Sequence, residues 1–209
     1  MNEIVTKRNE LLAQTVIKGL ASRNMTGYYA KDKEEALSLA RSLIPEGSTL
    51  TMGGGMSVAE IGLVDALKKG NYNYIDRNEI EDRRAAYLAA YDADVYLMSA
   101  NAITNDGIMV NIDGNSNRVS ALAYGPKKVI CIVGMKKVCG DVDGAMKRAR
   151  NVAAPINAAR FGLSTPCSKT GACFNCKSPD TICCQFLITR FSRHEGRIHV
   201  ILVNDNLGF

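Results

Sequence analysis

The sequence has no tryptophan, aromatic residues make up only 6% of it, and no apolar run approaches the ~20 residues of a membrane span. The shortage of aromatics removes the stacking platform on which single-stranded nucleic acid is held. The net charge of +5 is mild, and the one dense basic run, Lys147 to Arg150, reads as a solvated helix face. No nucleic-acid or membrane partner is therefore expected. The opening stretch MNEIVTKRNE lacks the apolar core of a secretory signal, which points to a cytoplasmic protein. Neither internal repeats nor low-complexity linkers occur. A flavin or nicotinamide fingerprint is missing too, so hydride transfer by this chain alone is not expected.

What is present is ordinary for a globular chain: 46% hydrophobic and 22% charged residues over 209 positions, enough for a single domain with a sizeable core. Apolar residues at Val5, Leu12, Val16 and Leu20 predict a first helix over residues 3–24. Asp32 and Glu35 have the spacing of a reciprocal cap on a second helix, and so do Ser57 and Glu60 on a helix over 57–69. Between and after these, STLTM, YNYID, ADVYLMSA, IMVNID and KKVICIVG read as strands. Helices are expected at 78–91, at RVSALAYG and over 141–150, the last interrupted ahead of Pro155. Short strands alternating with helices predict an α/β fold, a Rossmann-like and mainly parallel sheet covered on both faces. The expected organisation is an α/β core (1–163), a Cys-rich loop (164–184) and a C-terminal β-hairpin (185–209) made of QFLITRF and RIHVILVN.

Three glycines, Gly53 to Gly55, follow the strand STLTM and precede a helix. Such a loop lets an anion approach backbone N–H groups that no Cβ shields. It is not a Walker loop, for no Lys-Ser/Thr pair follows, and Gly62 falls too deep for the dinucleotide pattern. A plain strand-to-helix turn remains the other reading.

A second polar constellation runs from Asn101 to Arg118 and includes Thr104, Asp106, Asn111 and Asp113. Asp106-Gly107 and Asp113-Gly114 are turn pairs. Turn chemistry does not require Asn101 directly after a hydrophobic strand, or Arg118, whose guanidinium can grip a phosphate or carboxylate in two places. Asp106 or Asp113 would serve either as a general base or as a cap of backbone N–H groups.

Of seven cysteines, Cys167, Cys173, Cys176, Cys183 and Cys184 fall within 18 positions. The C-x-x-C pair suits a metal knuckle, and four thiolates suit zinc or an iron–sulfur cluster equally. Redox thiols and packed thiols are the competing readings, and Cys131 and Cys139 read as packing. His194 and His199 read as structural.

Taken together, GGGMSVAEIGL, SANAITNDGIMVNIDGNSNRVSALAYGPKKVICIVGMKKV, ARNVAAPINAARFGL and the Cys-rich tail strongly resemble the LUD-domain family, which includes bacterial lactate-utilization proteins. The resemblance covers about residues 2–209. It implies the fold shared by ribose-phosphate isomerase, glucosamine-phosphate deaminase and the CoA transferases (the NagB/RpiA/CoA transferase-like type), in which a glycine-rich loop holds phosphate or part of CoA. Two departures stand out. This chain has Gly53-Gly54-Gly55 where relatives have Gly-Gly-Ser, and Met135-Lys136-Lys137 where they have Asn-Lys. The expected cleft holds an anionic small molecule on Gly53, Gly54, Gly55, Ser57, Asn101, Thr104, Asn111, Arg118 and Lys137, with Glu60 and Asp106 as acid–base candidates. The implied role lies in small-organic-acid metabolism beside iron–sulfur partner subunits, and a homo-oligomer is compatible with it. A stand-alone sugar-phosphate isomerase or acyl/CoA enzyme, and a non-catalytic sensor or assembly subunit with a structural metal, are the alternatives.

Overall fold

The structure is a computed structural model that describes residues 2–209. Helix α1 (Glu3–Ser22) opens on Asn2, whose side chain accepts from the Ile4 N–H. Strand β1 (Thr26–Ala30) and helix α2 (Lys33–Ser42) follow. Asp32 accepts from the Glu35 N–H, while the Glu35 carboxylate reaches one residue further back, to the Lys31 N–H. Strand β2 (Thr49–Met52) feeds the glycines.

The helix expected over 57–69 is two helices, α3 (Met56–Glu60) and α4 (Leu63–Lys69), separated where Gly62 takes a left-handed φ of 74°. The Ser57/Glu60 cap does not form. Gly55 is the N-cap, and the oxygens of Ser57 and Glu60 bind other partners. After β3 (Asn73–Tyr74), helix α5 (Arg83–Asp92) begins later than Asn78, because Asp82 caps the N–H groups of Arg84 and Ala85.

Strands β4 (Val95–Met98), β5 (Ala102–Thr104) and β6 (Met109–Asp113), helix α6 (Asn117–Tyr124), and strands β7 (Lys128–Gly134) and β8 (Val138–Cys139) complete the middle of the chain. Helix α7 (Val142–Arg148) does not stop ahead of Pro155. It passes through a π-helical turn (Ala149–Ala153) into α8 (Ala154–Arg160). Pro155 has no N–H and its ring crowds the preceding turn, and the wider π turn absorbs both defects without ending the helix. A short α9 (Pro166–Thr170) starts the Cys-rich loop, and β9 (Gln185–Thr189) and β10 (Ile198–Val203) close the chain.

Six strands form one all-parallel sheet in the order β1-β10-β7-β4-β2-β3, and four form a second sheet in the order β8-β5-β6-β9. The fold is thus Rossmann-like. Its core follows from strand alternation: Tyr96, Met98, Val129, Cys131, Val200 and Leu202 face α1 and α6, whereas Leu97, Ile130, Ile132 and Ile201 face α2, α3 and α4.

The expected C-terminal hairpin is corrected: β9 pairs antiparallel with β6, and β10 lies parallel between β1 and β7. Apart from His199, whose ring is hydrogen-bonded, IHVILV is apolar and the strand is wholly buried, as suits the interior of a covered sheet. β9, with Phe186 and Ile188 exposed, is an edge strand. Among the described residues no helix is long and apolar enough to cross a membrane.

Candidate functional site

The carboxyl ends of β2, β4, β7 and β10 open on one cleft of about 280 Å³. Ligands collect at this edge of open parallel sheets. β2 contributes Gly53 to Gly55, β4 contributes Ser99 to Asn101, β7 leads to Lys137, and β10 leads to Gly208 and Phe209. Other elements roof it: Arg77, Arg83 and Tyr87 from around α5, Asp113 to Arg118 ahead of and within α6, and Asn157, Arg160 and Phe161 from α8 and its end.

The glycines work differently from the sequence reading. A Cβ on Gly53 would stand 2.7 Å from the Arg118 Cγ and 2.5 Å from the Tyr96 hydroxyl, and one on Gly54 would stand 2.2 Å from an Arg77 guanidinium nitrogen. The space they open is filled by two arginine side chains. Gly54, at φ 77°, also takes a conformation that other residues resist. The positive character of the loop therefore comes from guanidinium groups rather than from the short α3 helix behind it.

Arg118 is held from below. Asp113 accepts from the Arg118 and Val119 N–H groups at 2.8 and 3.1 Å, lies 3.4 Å from the Arg118 Nε, and so caps α6 and aims the side chain together. Arg118 also donates to the Ile112 carbonyl at 2.6 Å. Burial lowers the pKa of Arg160, and the charges of Arg118 and Arg77 lower it further, so the three guanidinium groups feel one another. Asp113 is the only acidic side chain among the described residues lining the cleft, and it is already committed.

Lys137, 3% exposed, forms part of the cleft wall. Its ammonium nitrogen donates to Ser57 Oγ at 3.1 Å and Ser99 Oγ at 3.0 Å. Gly208 packs onto it so tightly that a Cβ there would lie 2.8 Å from Nζ, and Gly208 is held by its N–H, which donates to Glu60 Oε2 at 2.7 Å. Burial, helped by the charges of Arg148 and Lys136 and opposed by Glu60, brings the pKa of Lys137 down to about 7.

The sign of the resulting pH effect is fixed. Between about pH 7 and the unfolded value near 10.4 the unfolded chain binds the extra proton, so stability rises with pH across that window. Lys137→Met removes this slope, worth roughly 1.4 kcal/mol per pH unit at most. Urea unfolding of both proteins at pH ~7 and ~9.5 should show the wild type gaining on the variant as the pH rises.

Of the residues singled out from sequence, Gly53, Gly54, Gly55, Asn101, Arg118 and Lys137 line the cleft, and Ser57 sits directly beneath Lys137. Glu60 touches the site only through Gly208. Asp106 and Thr104 are not brought to it. They hydrogen-bond to each other, and Asp106 also pairs with Arg23 at the end of α1. Gly19 and Gly107 let this turn press against α1, since a Cβ on Gly19 would stand 2.3 Å from the Asp106 carbonyl carbon. Asn111, 1% exposed, is buried within β6, with neither polar side-chain atom hydrogen-bonded.

Sequence reasoning missed Arg77, Arg83, Arg160, Asn157 and Ser99. Only Ser99, directly after a buried strand, carried a signal comparable to that of Asn101.

Among the described residues no group of three or more His, Cys, Asp or Glu side chains is arranged to hold a metal ion. All seven cysteines are free thiols. Within the tail several sulfurs have protein partners: Cys173 faces an Arg150 guanidinium nitrogen at 3.6 Å, Cys167 faces Thr165 Oγ1 at 3.2 Å, and Cys176 faces Thr181 and Ser178. The thiols nonetheless share one neighbourhood. The Cys183 thiol is pushed up to about 11 by burial and then by the charges of Cys173, Cys167 and Cys176. His199 is structural, its ring stacked on Tyr28 and bonded to the Tyr28 hydroxyl and the Gly196 carbonyl.

The sequence model of the family described as LUD domain matches residues 13–203. No curated protein is similar enough to match the chain. The crystal structure of a DUF162 family protein from Deinococcus radiodurans is similar in fold, with a TM-score of 0.56 over 94% of this chain and 98% of that chain at 12% identity. With the family model spanning nearly the whole α/β fold and the cleft inside it, the chain belongs to the LUD-domain family.

Proposed function

We propose that the cleft binds a small anionic metabolite, a phosphate or carboxylate compound, and that the protein serves small-organic-acid metabolism of the lactate-utilization type. One observation carries this reading. Arg77, Arg118, Arg160 and Lys137 converge on a single cleft whose one acidic side chain, Asp113, is already committed. Like charges gathered in a partly desolvated pocket repel one another until an anion enters, and guanidinium groups suit the planar, two-toothed recognition of carboxylate and phosphate. The lactate-utilization assignment rests on family membership, as does an iron–sulfur partner subunit.

The isomerase reading draws less support, because Asp106 lies outside the cleft and Glu60 spends its carboxylate on the Gly208 N–H.

The test is thermal unfolding in the presence of inorganic phosphate, L-lactate, pyruvate and, as a neutral control, glycerol. An anion at about 100 times its Kd stabilises by about 2.7 kcal/mol. Phosphate or a carboxylate should raise Tm in a saturable way while glycerol does not. A Tm that no anion moves, or that sodium chloride moves equally, would remove the reading.

A further inference from the structure

Lys137 is an unusual buried lysine. Side chains of this type are almost never fully buried unless paired, yet among the described residues no carboxylate lies within ion-pair distance of its nitrogen. Its two partners are hydroxyls, Ser57 at 3.1 Å and Ser99 at 3.0 Å, and these lie 3.3 Å from each other. A hydroxyl accepts a hydrogen bond from an ammonium group and donates one equally well to a free amine. The triangle therefore holds the nitrogen in place in either protonation state, whereas a carboxylate would lock it as ammonium. Burial, then Arg148 and Lys136, disfavour the charged form, and Lys137 is a residue of the cleft wall whose other cations attract anions. An amine made available by burial and neighbouring cations, beside a device that recruits anions, has the setting of a lysine nucleophile.

We propose that Lys137 condenses with the carbonyl carbon of an anionic aldehyde or 2-oxo acid held by Arg77, Arg118 and Arg160, giving an imine and one molecule of water. The proposal rests on the anion reading of the cleft and deepens it by naming the substrate class. The nitrogen lone pair adds to the carbonyl carbon, and the carbonyl π pair moves to its oxygen. That oxygen takes up the proton lost by nitrogen, relayed by the Ser57 and Ser99 hydroxyls. The carbinolamine then expels its oxygen as water, taking the second nitrogen proton, as the C=N bond forms. One amine and one carbonyl give one imine and one water, with no oxidant or reductant. Gly208, tethered by Glu60, keeps the backbone against the nitrogen without a side chain in the way.

The test is reductive trapping. The protein is incubated with pyruvate, or in a second arm with glyceraldehyde 3-phosphate, and sodium cyanoborohydride is added. Intact mass and peptide mapping then locate the adduct. The expected result is one adduct per chain at Lys137, forming at least tenfold faster than on any other lysine and suppressed by excess inorganic phosphate. Its rate should climb with pH and level off just above 7. Lys69→Arg, on an exposed lysine far from the site, should label like the wild type, and Lys137→Met should lose the adduct.

Whichever arm labels identifies a carboxylate or a phosphate as the recognised anion. Adducts spread over surface lysines, or a mapped site other than Lys137 in the unaltered protein, would overturn the proposal even if Lys137→Met did not fold. Calorimetric phosphate binding, measured on the same protein, separates the two levels. Binding without trapping would leave an anion site and no imine, and the loss of both would remove the anion reading as well.

Discussion

Arg118→Ala should weaken phosphate binding by about 100-fold, the loss expected from removing a charge-assisted donor worth about 1.5–3 kcal/mol. Arg118 is firmly positioned before any ligand arrives. Its stem lies in the space left by Gly53, its guanidinium donates to the Ile112 carbonyl, and Asp113 binds both its backbone N–H and its Nε region. A side chain held in advance loses little freedom when ligand arrives, so its loss is felt at nearly full strength. The substitution also strips Asp113 of its cation and turns that carboxylate toward the anion. Arg118→Lys should recover only part of the affinity, since a point charge replaces a fork. Arg83, exposed at the rim, should matter much less. Calorimetric titrations of the three variants would check the order.

Arg197→Met should lower the free energy of unfolding by about 3–5 kcal/mol, since each buried carbonyl left without its donor costs about 1–3 kcal/mol. Arg197 is 9% exposed and lies just before β10, where its guanidinium donates to the carbonyls of Pro126, Leu122 and Ala121 at 3.0, 2.7 and 3.1 Å. Leu122 and Ala121 belong to the last turn of α6, whose carbonyls carry partial negative charge, and the Ala121 carbonyl also accepts from the Gly125 N–H. Methionine fills much of the volume but leaves three buried carbonyls without that donor. The same residue ties the start of β10 to the end of α6, so the effect should show as loss of the whole cooperative transition in urea rather than as a local opening.

These two arginines also show where the sequence could and could not be read. The order of helices and strands was legible because each strand is a short apolar run and each helix has its own period. The place of β10 was legible in principle: IHVILV has no polar face, so it belongs inside a covered sheet. Pairing it with QFLITRF followed the nearness of the two segments in sequence, and burial on both faces overrode that nearness.

In the cleft, Asn101 could be found because a polar residue directly after a buried strand marks the carboxyl edge of the sheet, and Lys137 because the family resemblance supplies a matching lysine after β7. Arg77 and Arg160 could not. An arginine in a loop or on a helix face looks the same in sequence whether it meets water or a ligand, and only the tertiary fold brings these two to Arg118. Asp106 misled for the opposite reason. It sits in a polar, turn-rich stretch that looks like a site, yet its carboxylate is used by Arg23 and Thr104 to fasten that turn to α1. The glycines were located correctly and explained differently, since their missing side chains make room for arginines.

The central claim is that the arginine-lined cleft recognises an anion, and calorimetric titration of inorganic phosphate at low ionic strength tests it most directly. The predicted result is saturable binding at one site per chain. Arg118→Ala removes most of the affinity. Absent heats, or binding that survives unchanged in both Arg118→Ala and Arg77→Ala, would contradict it.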